Sequence, residues 1–257
     1  MIQEELPIAT FAAPACVREM CLGQGQGGSD AHLDALSGHA PDPQPDMQVF
    51  HIRMANSAHR REAASVLIRK MYGWRGYAFE PSLFQEPSKI TLYAETAGAV
   101  VATMSLCLDG PILLPADENF HDMLEGLRAD GRRLCEPSRL AIDKGVTKRV
   151  FAALIHISYL YARVIHRYSD YVIEVNPRHV MFYQRMLGFD GFGAERPCTR
   201  VGAPAVLLRL PLERMGERIR TWGGRMEQHG EERSFYPYFF PASDEPGITG
   251  RLRAGLN

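Results

Sequence analysis

The sequence predicts a mixed α/β domain, and three stretches predict it. Two extended runs, 89–95 and 99–108, flank Thr-Ala-Gly98, which reads as a hairpin. A short strand over 134–143 precedes an apolar helical stretch over 149–167 and a compact apolar strand over 170–175. A crossover of that kind makes the two strands parallel neighbours. Closing elements follow, among them a strand over 205–210 that carries no charge until Arg209.

In chain order, residues 1–46 read as an N-terminal extension outside the core. Gly23-Gln-Gly-Gln-Gly-Gly28 and Ala40-Pro-Asp-Pro-Gln-Pro-Asp46 are linker-like, with a short helix expected over 31–35. The core is assigned to 47–212. Val49-Phe-His-Ile-Arg-Met54 is the first strand, and Asn56 or Ser57 caps a helix to about Tyr72. Its apolar face is Ala64, Leu67, Ile68 and Met71. Gly73 and Gly76 end it, and 78–88 reads as loop. Phe120, Met123, Leu124 and Leu127 give a helix over 118–129. Pro177 opens a helix over 177–187. Residues 213–257 are a C-terminal helix to about Met226 and a tail whose aromatic run, Phe235-Tyr-Pro-Tyr-Phe-Phe240, has no predicted place.

The totals exclude several classes. The chain has 257 residues, 46% of them hydrophobic, and a formal net charge of −1, which gives no electrostatic reason to expect nucleic acid. Cys16, Cys21, Cys107, Cys135 and Cys198 are odd in number and lack ligand spacing. They read as reduced thiols of a cytoplasmic protein, with no disulfide framework and no metal site. No segment approaches the roughly 20 apolar residues of a membrane span, and the start has no signal-peptide core. Peripheral membrane contact is left open.

Leu134-Cys-Glu-Pro-Ser-Arg-Leu-Ala-Ile-Asp143 is the odd strand. It carries Glu136, Ser138 and Arg139 at its centre, and Pro137 has no N–H for a ladder. It is either an edge strand with a solvated ion pair or a strand with a chemical task. Lys144, Lys148 and Arg149 place positive charge where the following helix begins. Singly, each reads as a solvated helix face; together they could receive a phosphate.

The second informative stretch is Val175-Asn-Pro-Arg-His-Val-Met-Phe-Tyr-Gln-Arg-Met-Leu-Gly-Phe189. It resembles the closing region of the GNAT-type N-acyltransferase fold, through Phe182-Tyr183 and Gly188-Phe189. That resemblance implies a central mixed sheet flanked by helices, with two splayed parallel strands at the active cleft. It also implies that Tyr183 gives a proton to the leaving thiolate of an acyl donor; the other reading of Tyr183 is a packed ring with a surface hydroxyl. The Arg/Gln-x-x-Gly-x-Gly/Ala loop of coenzyme-A-binding members is missing, since Asp143-Lys-Gly-Val-Thr-Lys-Arg-Val150 has a single glycine.

Glu136-x-Ser138-Arg139 resembles the Glu-x-Ser-Arg strand of the acyl-homoserine lactone synthases, although Cys135 stands where those often carry an aromatic residue. A closer resemblance, from about 49 to 212, is to the long-chain N-acyl amino acid synthase (FeeM-type) family. It is carried by Arg69-Lys-Met-Tyr72, Arg75-Gly-Tyr77, Val101-Ala-Thr-Met-Ser-Leu106 with Asp109, and Leu114-Pro-Ala-Asp117. It continues through 134–143, Asn176-Pro-Arg-His-Val-Met-Phe-Tyr183 and Cys198-Thr-Arg-Val-Gly-Ala-Pro-Ala-Val-Leu-Leu208.

This resemblance implies transfer of a long acyl chain from an acyl carrier protein or coenzyme A thioester to the α-amine of an amino acid. No cofactor is then held permanently; the acyl donor is a co-substrate and the carrier protein a partner. Glu136 is the candidate base, and neighbouring backbone N–H groups would hold the oxyanion. Arg139 either pairs with Glu136 or holds the acceptor carboxylate, and Ser138 orients one of the two. Lys144, Lys148 and Arg149 would meet the donor's phosphate. Tyr72, Trp74, Leu106, His179 and Phe182 are assigned to substrate binding, with Leu108 and Val172 as further candidates for the acyl slot. His179 is also a second candidate base, ranked below Glu136 because a positive helix end disfavours a cation there. Other readings are an acetyl-CoA-dependent N-acetyltransferase, a synthase using S-adenosylmethionine, and a non-enzymatic sensor of acyl chains or carrier protein.

Overall fold

The computed structural model describes residues 9–14, 47–73, 88–198, 202–228 and 230–255, with backbone alone at 9–14, 47 and 71–73. The helix expected over 31–35 lies outside them. Ala9–Pro14 (β1) pairs antiparallel with Met47–Met54 (β2), so part of the expected extension is an edge strand of the sheet. Ala58–Gly73 (α1) follows, and it buries Ala64, Leu67 and Ile68. The hairpin forms as expected, between Lys89–Thr96 (β3) and Ala99–Leu108 (β4). Both turn residues, Ala97 and Gly98, have positive φ (48° and 77°), the conformation a two-residue type I′ turn demands.

Asp117–Ala129 (α2) buries Phe120, Leu124 and Leu127, but Phe120 itself is non-helical (φ −127°, ψ 26°), so the first turn is offset from the rest. Leu134–Ile142 (β5) leads to Lys148–Tyr159 (α3), which continues as a π-helical segment, Leu160–Ile165, instead of running on as α-helix. Asp170–Val175 (β6) is followed by a 3-10 turn, Pro177–His179, capped by Asn176, and then by Val180–Leu187 (α4). Asp190–Gly191 (β7), Arg196–Cys198 (β8) and Ala203–Pro211 (β9) close the sheet. Leu212–Trp222 (α5) stops at Gly223-Gly224, short of Met226, because the backbone turns sharply at Gly224 (φ 78°).

The strand order is β1-β2-β3-β4-β5-β6-β9-β7, with β8 on β9, and every pair is antiparallel except β5–β6. The parallel pairing is confined to Leu134↔Asp170 and Cys135↔Tyr171. Beyond it β5 stays paired with β4 as far as Ile142, and β6 with β9 as far as Val175. The sheet therefore splits into two halves that separate from Glu136 and Val172 onward.

Strand alternation assigns the faces. Cys135, Leu106 and Leu108 join α3 in the main core, whereas Leu134 and Val172 join α2, and Ala141 packs on α1. Phe235, Tyr236, Phe239 and Phe240, with Ile248 and Leu252 of Glu245–Ala254 (α6), are buried in the same core as α3. The aromatic tail is thus a layer of the domain. Among the described residues no helix is long and apolar enough to cross a membrane.

Candidate active site

The site begins where β5 parts from β6. Asp109 N–H donates to the Leu134 carbonyl at 3.1 Å, so the ladder alternates with Cys107 and Glu136 as its next bonded pair. Pro137 then turns its nitrogen away from β4 and toward the gap. Its missing N–H costs no ladder bond, which explains a proline in a strand interior to the sheet order.

Glu136 points to the α2 face and is buried, at 4% exposure. Its Oε2 accepts the Ala116 N–H at 2.9 Å, just ahead of α2. Two polar rows run across the sheet on this face: Lys89, Cys107 and Glu136 in register, then Thr91, Ser105 and Ser138. Thr91 and Ser105 share a hydrogen bond of 2.9 Å, and Cys107 Sγ lies 3.6 Å from Ser138 Oγ. Burial pushes the Cys107 thiol up; Glu136 adds to this, while Ser138, Lys89 and Arg139 act the other way. Positions on a core-facing sheet that are polar across three strands are expensive in folding, and such positions point to a task.

Arg139 sits in a β-bulge, where Ser105 is opposite Ser138 and Thr103 is opposite Ala141, so β5 carries one extra residue. Its φ is +51°, left-handed, in a residue other than glycine. A bulge of this kind bends its strand and increases the local twist.

The wall of the site is the start of α2. Across the gap, Glu174 of β6 accepts from Asn119 Nδ2 at 2.6 Å. Ala116 and Asn119, one turn apart, thus hold a carboxylate on each side of the split. Asp117 accepts the Leu114 N–H (2.9 Å) and both terminal nitrogens of Arg128 (2.7 Å each). Burial opposes the charge on Asp117, but the bonds from Arg128 and His121 outweigh it and hold the carboxyl below its usual range.

At the closed end, Asp170 is fully buried and accepts from Arg132 (2.7 Å), Arg209 (2.8 Å) and Ser169 (2.6 Å). In α4, which follows β6 in the chain, Tyr183 is partly buried, edge-on to Phe182 and Phe189. His179 lies in the 3-10 turn ahead of α4, half-buried. Lys144 is exposed on the turn before α3, and Lys148 is its first residue. Thr147, the residue before it, is buried, and its Oγ1 has no hydrogen-bond partner among the described residues.

Some predicted site residues are placed elsewhere. Arg149 points inward: its guanidinium lies 2.9 Å from Met226 Sδ and its Nε is buried. It leaves the basic rim to Lys144 and Lys148. Phe182 packs against Phe151 and Phe235, and Leu106 is fully buried beneath α3. Leu106, Leu108 and Phe182 therefore lie in the α3 core and Val172 in the α2 core, so they do not form one slot. The period of two along a strand separates Leu106 from the Glu136 face. The side chain of Tyr72 and all of Trp74 lie outside the described residues.

A mixed sheet whose single parallel pair, β5–β6, parts after two residue pairs is the architecture of the GNAT-type N-acyltransferase fold. The family model for N-acyl amino acid synthase FeeM matches residues 63–211, and the chain belongs to that family. It is an acyltransferase. The solved structure of FeeM, an N-acyl amino acid synthase from uncultured soil microbes, is 28% identical, with a TM-score of 0.59 over 65% of this chain and 93% of that one. The AHL synthase LasI gives 17% identity and a TM-score of 0.44 over 63% of this chain and 90% of that one. An N-acetyltransferase from Staphylococcus aureus Mu50 gives 13% and 0.43 over 64% and 98%. A comparison with curated proteins finds no match.

Proposed function

We propose that this enzyme moves a long-chain acyl group from a carrier-protein thioester to the α-amine of an amino acid. The observation that carries the reading is Glu136, buried at the apex of the β5–β6 split with its carboxylate held by Ala116 N–H. The thioester lies in the split, beyond the last β5–β6 pair, Cys135↔Tyr171, and a backbone N–H of the strands lining it would hold the carbonyl oxygen. The acceptor amine attacks the thioester carbon as Glu136 takes a proton from nitrogen, directly or through one water. The C–S bond then breaks, the thiolate receives a proton from the Tyr183 hydroxyl, and an amide remains.

Carrier protein is favoured over free coenzyme A because the loop before α3 has only Gly145, with Lys144 and Lys148 as its cations. That loop and the orphan Thr147 hydroxyl suit a single phosphate better than a pyrophosphate cradle. Arg139 and Ser138 lie beside the acceptor, where Arg139 holds its carboxylate.

The test is Glu136→Gln, assayed with long-chain acyl carrier protein and amino acids by mass spectrometry of the lipid product. Turnover falls about 10²- to 10⁴-fold with an unchanged circular dichroism spectrum. An unchanged rate removes Glu136 from the mechanism. Acyl-CoA serving as well as acyl carrier protein would reassign the donor, and wild-type protein that yields no N-acyl product would favour the sensor reading.

A further inference from the structure

We propose that Arg128 is a positioning residue for the reaction: it holds the start of α2 so that Ala116 N–H stays aimed at Glu136, and so sets the pH at which that carboxylate works. The proposal rests on the assignment of Glu136 as the base.

Within Leu114-Pro-Ala-Asp117 every N–H is accounted for. Leu114 donates to Asp117 Oδ2 (2.9 Å), Pro115 has none, and Asp117 N–H returns to the Leu114 carbonyl (3.0 Å). Ala116 alone sends its N–H out of the turn, to Glu136 Oε2 at 2.9 Å. The direction of that bond depends on where the turn is held.

Arg128, in the last turn of α2, holds it. Its fork grips both Asp117 oxygens at 2.7 Å each, and its Nε and one terminal nitrogen grip Asp109 at 2.7 and 2.9 Å. Asp109 is fixed in turn to β5, through its N–H on the Leu134 carbonyl. One planar group thus ties the end of β4, the start of α2 and, two residues from Glu136, the start of β5. A double bidentate clamp permits a single orientation, which a lysine ammonium cannot reproduce. The ions are largely withdrawn from water (side-chain exposure 18% for Arg128, 11% for Asp109, 4% for Asp117). A buried ion network is weak evidence for stability. What this one orients is a donor to a carboxylate, and a donated N–H favours the charged form.

The sign follows. A loosened Ala116 contact makes Glu136 hold its proton to higher pH, so the acid limb of kcat/KM moves upward. In Arg128→Lys the limb moves up by about half a unit or more, while the alkaline limb stays. Asp122→Asn, which alters an exposed acid of α2 paired with Arg196, leaves the profile where it was. The same upward shift is read without turnover by titrating the ¹³C carboxyl resonance of Glu136, assigned by its loss in Glu136→Gln.

If Glu136→Gln abolishes the limb but Arg128→Lys leaves both limb and resonance in place, the proposal is overturned. It is equally overturned if Arg128→Lys and the milder Asp109→Asn both fail to fold, since Arg128 is then a scaffold ion. If Glu136→Gln keeps the limb, the assignment of the base fails, and the ¹³C titration alone decides the positioning role.

Discussion

Asp170 holds the two halves of the sheet together at the one place where they still touch. Fully buried, it takes hydrogen bonds from Arg132, Arg209 and Ser169. Burial works against its charge, but those bonds prevail, and its carboxyl titrates below the ordinary value of 3.8. The same direction holds for Asp117. Because the unfolded chain binds these protons first, their contribution is complete above about pH 4 and is lost as the pH falls through the lower folded values. Asp170→Asn leaves two guanidinium groups facing a neutral amide, and urea denaturation at pH 7 registers a loss of about 3 kcal/mol. The loss shrinks as the pH falls below about 4, because the unfolded chain takes up that proton before the folded one. Sequence reasoning found Glu136, Ser138 and Arg139 because polar residues in a strand stand out. It passed over Cys107, Asn119, Arg128 and Glu174. Each is ordinary in its own segment, and its role arises from partners 11 to 55 positions away.

At the scale of the element, β5 illustrates how much a short run can encode. Its apolar ends and its proline predict a strand with one side unpaired, and the β5–β6 ladder stops before Pro137. The bulge was not legible, since nothing in Ser-Arg-Leu marks an extra residue or a left-handed Arg139. Glycine adopts that conformation freely, whereas a β-branched side chain clashes. Arg139→Ile is therefore about 1–2 kcal/mol less stable than Arg139→Gly in thermal unfolding. Equal stability of the two variants would show that the bulge relaxes without cost. In α3 the helical pattern extended to Arg167, but the last stretch is π-helical, a change of hydrogen-bond register to which hydrophobic periodicity is nearly blind.

For the whole molecule, the C-terminal segment decides the outer layer of the α3 face. His156, fully buried in α3, accepts the Phe240 N–H on Nδ1 at 3.1 Å, so its Nε2 carries the proton and faces Glu245 at 3.2 Å. Phe239 stacks on its ring. Burial lowers the affinity of His156 for a second proton, against the opposing pull of Glu245. The unfolded chain, titrating near 6.5, gains that proton first, so stability declines as the pH falls below about 6.5. His156→Gln keeps an acceptor for Phe240 N–H, and its urea midpoint changes less than that of wild type between pH 7 and 5. An identical pH dependence in the two proteins would exclude His156 as the source of that decline.

The order of strands and helices from 47 to 212, the hairpin and the odd polar strand are written locally, in period, turn residues and charge. The sequence by itself therefore determined an α/β acyltransferase core and pointed to Glu136. Tertiary structure alone decided that β1 and the aromatic tail belong to the domain, that Arg149 turns inward and that Leu106 and Phe182 serve the core. It alone places the Ala116 N–H on Glu136. The reason is physical: periodicity says which face of an element is apolar, but which partner covers that face depends on contacts far apart in the chain.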